Sequence, residues 1–516
     1  MESRGFPFMS VARRFPDRPA LRLGGRTVSH RELDELSGAL AARIAPGGTV
    51  AVTGRDRLDH VVGLLAALRA GATYLPLDRE APEERNRWIR EDAGATLDYI
   101  DGELVEIGGP EGSGGGRESA AGYLIYTSGT TGRPKGVHVP LTALAGHLAA
   151  AVERFGLTED DVVLHFARPT VDVAVEQVLT ALSAGACVLI PEEQLLAPAA
   201  LLDLLETEGV TVANLAAGYF QEVVAALREG GRGLRTLRLM ISGSDRLYPD
   251  AAAGWWAATG VRLLNAYGPT ETVVTATVHE LAGPAAAEGD TVPIGRPLGD
   301  RRAYVLDDRL RPVAPGEPGE LYLGGPLLAS GYHGRPGLTA GRFLADPFAA
   351  EPGARMYRTG DVVRQSGADA ALEFVGRADH QVKIRGFRVE PGEIEQVLAG
   401  HPDVAGAVVV AHEGRLAAYV TAAAAVAGAV ADSDPAVADP AVVAPAVADP
   451  AVVAPAVADP AVATADGSLD VAGLRAHLAA RLPEHMVPAT VTALAAFPLT
   501  AGGKVDRAAL PEPQAA

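Results

Sequence analysis

The chain has 516 residues and a formal net charge of −19 at pH 7. That length exceeds what one hydrophobic core serves, so two or more domains are expected, and 48% hydrophobic residues suffice to fill them. The acidic balance argues against nucleic acid or an anionic membrane as a partner. The single cysteine, Cys187, excludes an internal disulfide, and its apolar neighbours Ala186, Val188, Leu189 and Ile190 mark it as a core residue. No run of about 18 apolar residues suggests a membrane span. No apolar segment follows Arg4 to form a signal peptide, so a cytoplasmic location is expected.

Helical spacing runs through residues 27 to 45, and Ser29 with Glu32 has the spacing of a capping box. Val50-Ala51-Val52 reads as a strand, Val61 to Ala70 as an apolar helix ended by Gly71, and Tyr74 to Asp78 as a strand and turn. Such alternation predicts a parallel α/β sheet. Gly108 to Gly116 is a Gly-rich connector.

Leu124 to Val137 reads LIYTSGTTGRPKGV. Four residues suit a buried strand. Thr127, Ser128, Gly129, Thr130, Thr131 and Gly132 then supply hydroxyls and a turning backbone, and Lys135 supplies a positive charge. This is the composition of a loop that wraps a polyphosphate, although no Gly-Lys-Ser/Thr closes it as in a P-loop.

Residues 171 to 186, VDVAVEQVLTALSAGA, suit a core helix with Asp172 at its start, where an N-cap role is worth about 1 kcal/mol. Val210 to Leu215 and Leu237 to Ser244 read as strands. Leu263 to Thr272, LLNAYGPTET, places Glu271 in a strand-end loop, where open α/β sheets bind ligands. Residues 320 to 332 form a strand and glycine turn. A helix over Gly392 to Leu398 precedes strands at Ala405–Ala411 and Leu416–Thr421. Prolines at 435, 440, 445, 450, 455 and 460 then forbid a continuous helix and block ladder hydrogen bonds, so this tract reads as extended or disordered. Helical spacing resumes from Val471 to Leu482, and FPLTAGGKVDR closes the chain's motifs at Arg507.

From about Thr27 to Arg507 the sequence resembles the adenylate-forming superfamily of acyl-CoA synthetases, luciferases and the adenylation domains of nonribosomal peptide synthetases. The motifs that resemble it are the 124–137 loop, the 263–272 segment, Tyr357-Arg358-Thr359-Gly360-Asp361, GRADHQVKIRGFRVEPGEIE at 376–395, and the Lys504 segment. The resemblance implies an α/β fold: a large N-terminal domain of layered α/β subdomains (1–378) and a small mobile α+β C-terminal domain (379–516), with the low-complexity insertion at about 423–467.

The resemblance implies an ATP-dependent, AMP-forming ligase whose catalytic residues are Lys504, Lys135 and Glu271, with Glu271 as the Mg²⁺ ligand. The Thr127–Gly132 donors would hold phosphates. Asn265, Tyr267, Thr270, Asp361, Phe374 and Arg377 would contact the nucleotide. Asp379 would be the hinge, and Arg385 and Gly386 would belong to a loop that serves thiolation. Asp172 would pair with a substrate α-amino group, which points to the peptide-synthetase branch. By the same alignment the side-chain pocket comprises Asp172, Val173, Glu176, Asn214, Met240, Ser242, Ala266, Val274 and Thr275.

This sequence departs from the family at three places: Val171 stands where an aromatic is usual, Gln177 where Glu is usual, and Gly502 where Asn is usual. Glu176 is a second carboxylate beside Asp172 and would need a cation, which favours a polar or basic substrate of the ornithine or lysine type. The alternative is that Glu176 turns to an arginine. No segment for a phosphopantetheine arm or a condensation motif is visible, so the expected partner is a separate carrier protein, with a small activator protein as a further candidate. A D-alanine–carrier ligase, an acyl-CoA ligase and an inactive scaffold are the rival readings.

Overall fold

The computed structural model describes residues 7–108, 121–129, 133–193, 196–230, 234–281, 283, 290–366, 370–379, 381–384, 386–412, 414–423, 470–499 and 505–513. Thr130, Thr131, Gly132, Arg385, Gly502 and Lys504 lie outside them, as do most of the Gly-rich connector and the proline-repeat tract over 424–469. The chain forms two compact units. One holds 1–127 with 134–388, and the other holds 128–133 with 389–516. The expected hinge residue, Asp379, lies within the first unit.

Two large sheets organise the first unit. In the nine-stranded sheet, Pro19–Leu23, Cys187–Ile190, Val162–Leu164, Val212–Ala216, Leu239–Gly243 and Arg262–Tyr267 run parallel in that spatial order. Thr277–Leu281 continues it antiparallel. The parallel strands are Val/Ile/Leu-rich because both faces are covered; Cys187 to Ile190 is buried throughout, including the cysteine. The seven-stranded sheet carries Thr49–Val52 and Thr73–Pro76 at its centre, with Ala121–Thr127 and Lys135–Pro140 forming an antiparallel pair. A five-stranded sheet contains Arg302–Leu306, Gly319–Gly324, Arg355–Ser366 and Ala371–Arg377.

Local sequence explains the main helices. The Arg57–Ala70 helix is buried from Leu58 to Leu68 apart from Asp59, so it needs no polar face. Asp56 caps it by accepting from Leu58 N, and Gly71 ends it at φ 67°, a conformation that a side chain would oppose. The predicted capping box is present: Ser29 and Glu32 bond reciprocally. The helix there runs only from His30 to Ala41, because Arg26–Ser29 pairs as a strand with Pro19–Leu23. The Asp172–Ala184 helix lacks the expected aspartate cap. Val171 is the N-cap residue, and no side chain caps the end.

In the second unit, Val404–His412 pairs antiparallel with Arg415–Ala422, which pairs parallel with Thr490–Leu494. The Pro391–Ala399 and Val471–Ala479 helices accompany this sheet. Among the described residues no helix is long and apolar enough to cross a membrane.

Candidate active site

A buried carboxylate cluster lies just beyond the Arg262–Tyr267 strand. Glu271, in the Thr270–Thr272 turn, is fully buried. Its Oε1 accepts from the Tyr332 hydroxyl at 2.8 Å and faces Lys135 Nζ at 3.7 Å. Its Oε2 accepts from Arg388 at 2.8 Å. Burial pushes the Glu271 pKa up, but Arg388, then Lys135 and Tyr332, outweigh it and hold it at about 2. Lys135 is itself buried, 4.9 Å above the Tyr332 ring. Mg²⁺ takes oxygen ligands and keeps its waters. Both Glu271 oxygens are engaged and two cations face them, so this arrangement does not suit a metal ligand unless Arg388 withdraws. Among the described residues no group of three metal-ligating side chains forms.

Asp172 has the opposite surroundings. It is 7% exposed, and its Oδ2 has no hydrogen-bond partner. Burial raises its pKa to about 6; the Thr270 hydroxyl opposes this and the Glu176 charge adds to it. Tyr123, on the Ala121–Thr127 strand, is fully buried beside these two carboxylates, and its hydroxyl also has no partner.

Glu176 is satisfied from within the protein. It is 1% exposed. Thr275 donates to Oε1 at 3.2 Å, and His147 Nε2 lies 2.8 Å from Oε2. On the other side of the ring, Arg301 Nη2 is 3.2 Å from His147 Nδ1. An arginine can only donate, so Nδ1 is the acceptor and the ring proton sits on Nε2, where it donates to Glu176. Burial lowers the His147 pKa, consistent with a neutral ring. The arginine alternative for Glu176 is thus realised through a histidine.

The same Arg301 donates to the carbonyls of Thr272 and Val273. There Val273 and Val274 sit at φ 61° and 58°. β-Branched residues avoid that region, at a cost of order 1–3 kcal/mol each.

Other pocket candidates divide by strand alternation and register. Asn214, Ile241 and Leu264 share one face; Met240 shares the other with its register partners Ala213 and Leu263. Met240 is packed in a core cluster with Trp255 and Phe220, away from the cluster that holds Val175, Val178 and Ala266. Ser242 follows Met240 by two residues, and its buried hydroxyl has no partner. Val173 is half-buried, while Val274 is buried. Gln177, the departure from the usual Glu, accepts from Phe166 N and Ala167 N and donates to the Asn214 carbonyl.

Of the residues expected to contact a nucleotide, the buried Asp361 accepts from the Tyr267 hydroxyl and, at 2.6 Å, from Arg377. Arg377 also binds Asp379. Arg246 lies 5.0 Å from the Phe374 ring. Asn265 is buried and donates to the Val292 and Pro293 carbonyls. At the end of the Ala121–Thr127 strand the buried Thr127 hydroxyl has no partner, an open donor. In the second unit Ser128 Oγ accepts from Glu390 N, and Gly129 N donates to Glu393. Gly386 sits at φ 83°, and a Cβ there would come 3.0 Å from Ala216.

The pattern of the family described as "AMP-binding enzyme" matches residues 8–108 and 115–333. The chain belongs to the AMP-binding enzyme family. Phosphinothricin tripeptide synthetase PhsC of Streptomyces viridochromogenes is 38% identical over 98% of this chain and 44% of its own length. Novobiocin biosynthesis protein H of Streptomyces niveus is 36% identical, with 96% of this chain and 80% of that protein covered. The chain spans less than half the length of PhsC and about a fifth of a dimodular nonribosomal peptide synthase of Bacillus subtilis, to which it is 37% identical. An artificially fused adenylation–PCP di-domain, NpsA-ThdA from Klebsiella oxytoca, superposes with a TM-score of 0.75 at 26% identity, covering 94% of this chain and 92% of that one. These likenesses place it with the adenylation domains of the nonribosomal-peptide-synthetase type.

Within this adenylation domain, sequence reading missed Tyr123, His147, Arg301, Arg388 and Lys383. His147 lies on the face of the Leu141–Phe155 helix that alternation would assign to apolar core, and Arg301 follows a Gly-Asp turn typical of solvated charge. Lys383 is lowered in pKa by burial, against the charges of Asp361 and Asp245. Arg388 lies inside a recognised motif, yet nothing in its spacing announces a partner in Glu271.

Proposed function

We propose that this protein joins an amino acid to the AMP part of ATP and passes the aminoacyl group to a separate phosphopantetheinyl carrier protein. A substrate carboxylate oxygen attacks the α-phosphorus, the bond to the β-phosphate oxygen breaks, and pyrophosphate leaves. The carrier thiol, giving up its proton, then attacks the acyl carbon, and AMP departs. Both first-step reactants are anions, so rate comes from positioning and charge neutralisation. Lys135 and the loop donors act on the phosphates. Lys504, outside the described residues, is the cation proposed for the substrate carboxylate, with its segment moving about Asp379 between the two steps. Mg²⁺ is taken as arriving on the ATP phosphates.

The observation that supports an amino acid is the Asp172 carboxylate. A buried carboxylate with an open oxygen and a raised pKa is an unmet demand for a cation, and an α-ammonium supplies it. Glu176 and Tyr123 beside it favour a polar side chain over an apolar one, and Glu176, already held by His147 and Thr275, no longer calls for the basic side chain of the ornithine or lysine type. Amino-acid-dependent ATP–pyrophosphate exchange over a panel of amino acids tests the reading, which fails if none supports exchange. Lys504→Ala is expected to abolish exchange while leaving thiolation from supplied adenylate largely intact; equal loss of both would contradict the assignment of Lys504.

A further inference from the structure

Resting on that reading, the buried chain Arg301–His147–Glu176 sharpens it. Glu176 cannot be left as a bare charge in the core. Arg301 supplies the compensating charge without touching it, through a neutral histidine whose tautomer Arg301 itself fixes. Arg301 is 5% exposed, and it also donates to the carbonyls of Leu298, Thr272 and Val273. It therefore also clamps the left-handed Val273–Val274 turn that delivers Thr275 to Glu176.

Charge accounting then discriminates among polar substrates. Asp172 awaits one positive group, the α-ammonium. Glu176 is already balanced by Arg301. A second ammonium on the substrate would enter with no negative charge left to meet it. Each Glu176 oxygen has one donor in place, and a carboxylate accepts more. The Tyr123 hydroxyl, fully buried and unpartnered beside both carboxylates, is a further open group.

We infer that Arg301 and His147 are specificity-determining positioning residues that hold Glu176 as a charge-compensated acceptor, so that the site takes an amino acid whose side chain ends in an uncharged hydrogen-bond donor, a hydroxyl or amide, in preference to an ammonium.

The test is ATP–pyrophosphate exchange with the proteinogenic amino acids plus ornithine and N-hydroxyornithine, on the native protein, Arg301→Met and His147→Gln. The native protein is expected to prefer a neutral polar amino acid over lysine and ornithine by tenfold or more in kcat/KM. Arg301→Met should raise KM for that amino acid at least tenfold, leave KM for ATP within about twofold, and move the ranking toward cationic side chains. His147→Gln keeps a donor for Glu176 but breaks the link to Arg301, and should shift the ranking in the same direction by less. Should Arg301→Met fail to fold, His147→Gln decides alone. Native preference for a cationic or apolar amino acid, or variants with unchanged ranking and KM, overturns the inference while leaving amino-acid activation standing. Exchange with no amino acid overturns both.

Discussion

Glu271 and Asp172 are both carboxylates buried in the first unit, yet they are held in opposite ways. Glu271 is surrounded by donors and two cations, and its pKa is pulled to about 2. Asp172 has an oxygen with no partner, and its pKa is raised to about 6. One is finished by the fold; the other keeps an open oxygen, which the proposed α-ammonium would meet. The contrast teaches that burial alone does not mark a binding carboxylate. What marks it is burial without a partner, and the fold tolerates that only where something else gains from it.

The largest effect expected from breaking this contrast is on the Glu271 side. Arg388→Met leaves a fully buried carboxylate with Lys135 and Tyr332 alone, and should cost about 3–5 kcal/mol in urea unfolding. The sign with pH follows from the depressed pKa. Glu271's stabilising contribution is present above its unfolded value near 4.5 and is lost as pH falls toward about 2, so native and variant stabilities should converge in acid.

On the Asp172 side the sign reverses. A raised carboxyl pKa means the folded state holds its proton longer than the unfolded chain, so stability falls as pH rises from about 4 through about 6. Asp172→Asn should therefore stabilise the unliganded protein at pH 7.5 by about 2 kcal/mol, taking roughly 1.4 kcal/mol for each tenfold change in proton affinity and allowing for the amide's own unmet bonds. The gain should vanish below pH 4, and amino-acid-dependent exchange should be lost. No stabilisation at neutral pH would mean that Asp172 is already compensated. The smallest expected effect is at Lys135, which faces Glu271 at 3.7 Å, beyond hydrogen-bond reach, while Arg388 and Tyr332 stay in place. Lys135→Met should cost less in stability than Arg388→Met while raising KM for ATP.

Much of this was legible in the sequence. Alternating strands and apolar helices, the Ser29–Glu32 capping box and the Gly71 stop were written in local chemistry, and the structure realises them. The 26–29 strand was not, because the cap at Ser29 advertises a helix and the pairing with Pro19–Leu23 is a tertiary contact. Asp172 was recognisable as the start of a helix, yet its importance lies in the bond it does not make, which no spacing reveals. Glu176 shows the limit most plainly. Its need for a cation could be inferred, but the cation comes from Arg301, far along the chain, through His147 on a helix that reads as apolar core. Partners supplied by tertiary packing leave no local trace.

The most direct test of the central claim is the pH dependence of kcat/KM for the preferred amino acid, followed by pyrophosphate exchange. This parameter reports ionisations of the free enzyme and free substrate. If the Asp172 carboxylate waits unpaired for an ammonium, activity should fall tenfold per pH unit below a break near pH 6, and KM for ATP should show no such break. A profile flat from pH 7 down to about 4.5 would show that Asp172 is ionised and paired before the substrate arrives, and would contradict the account.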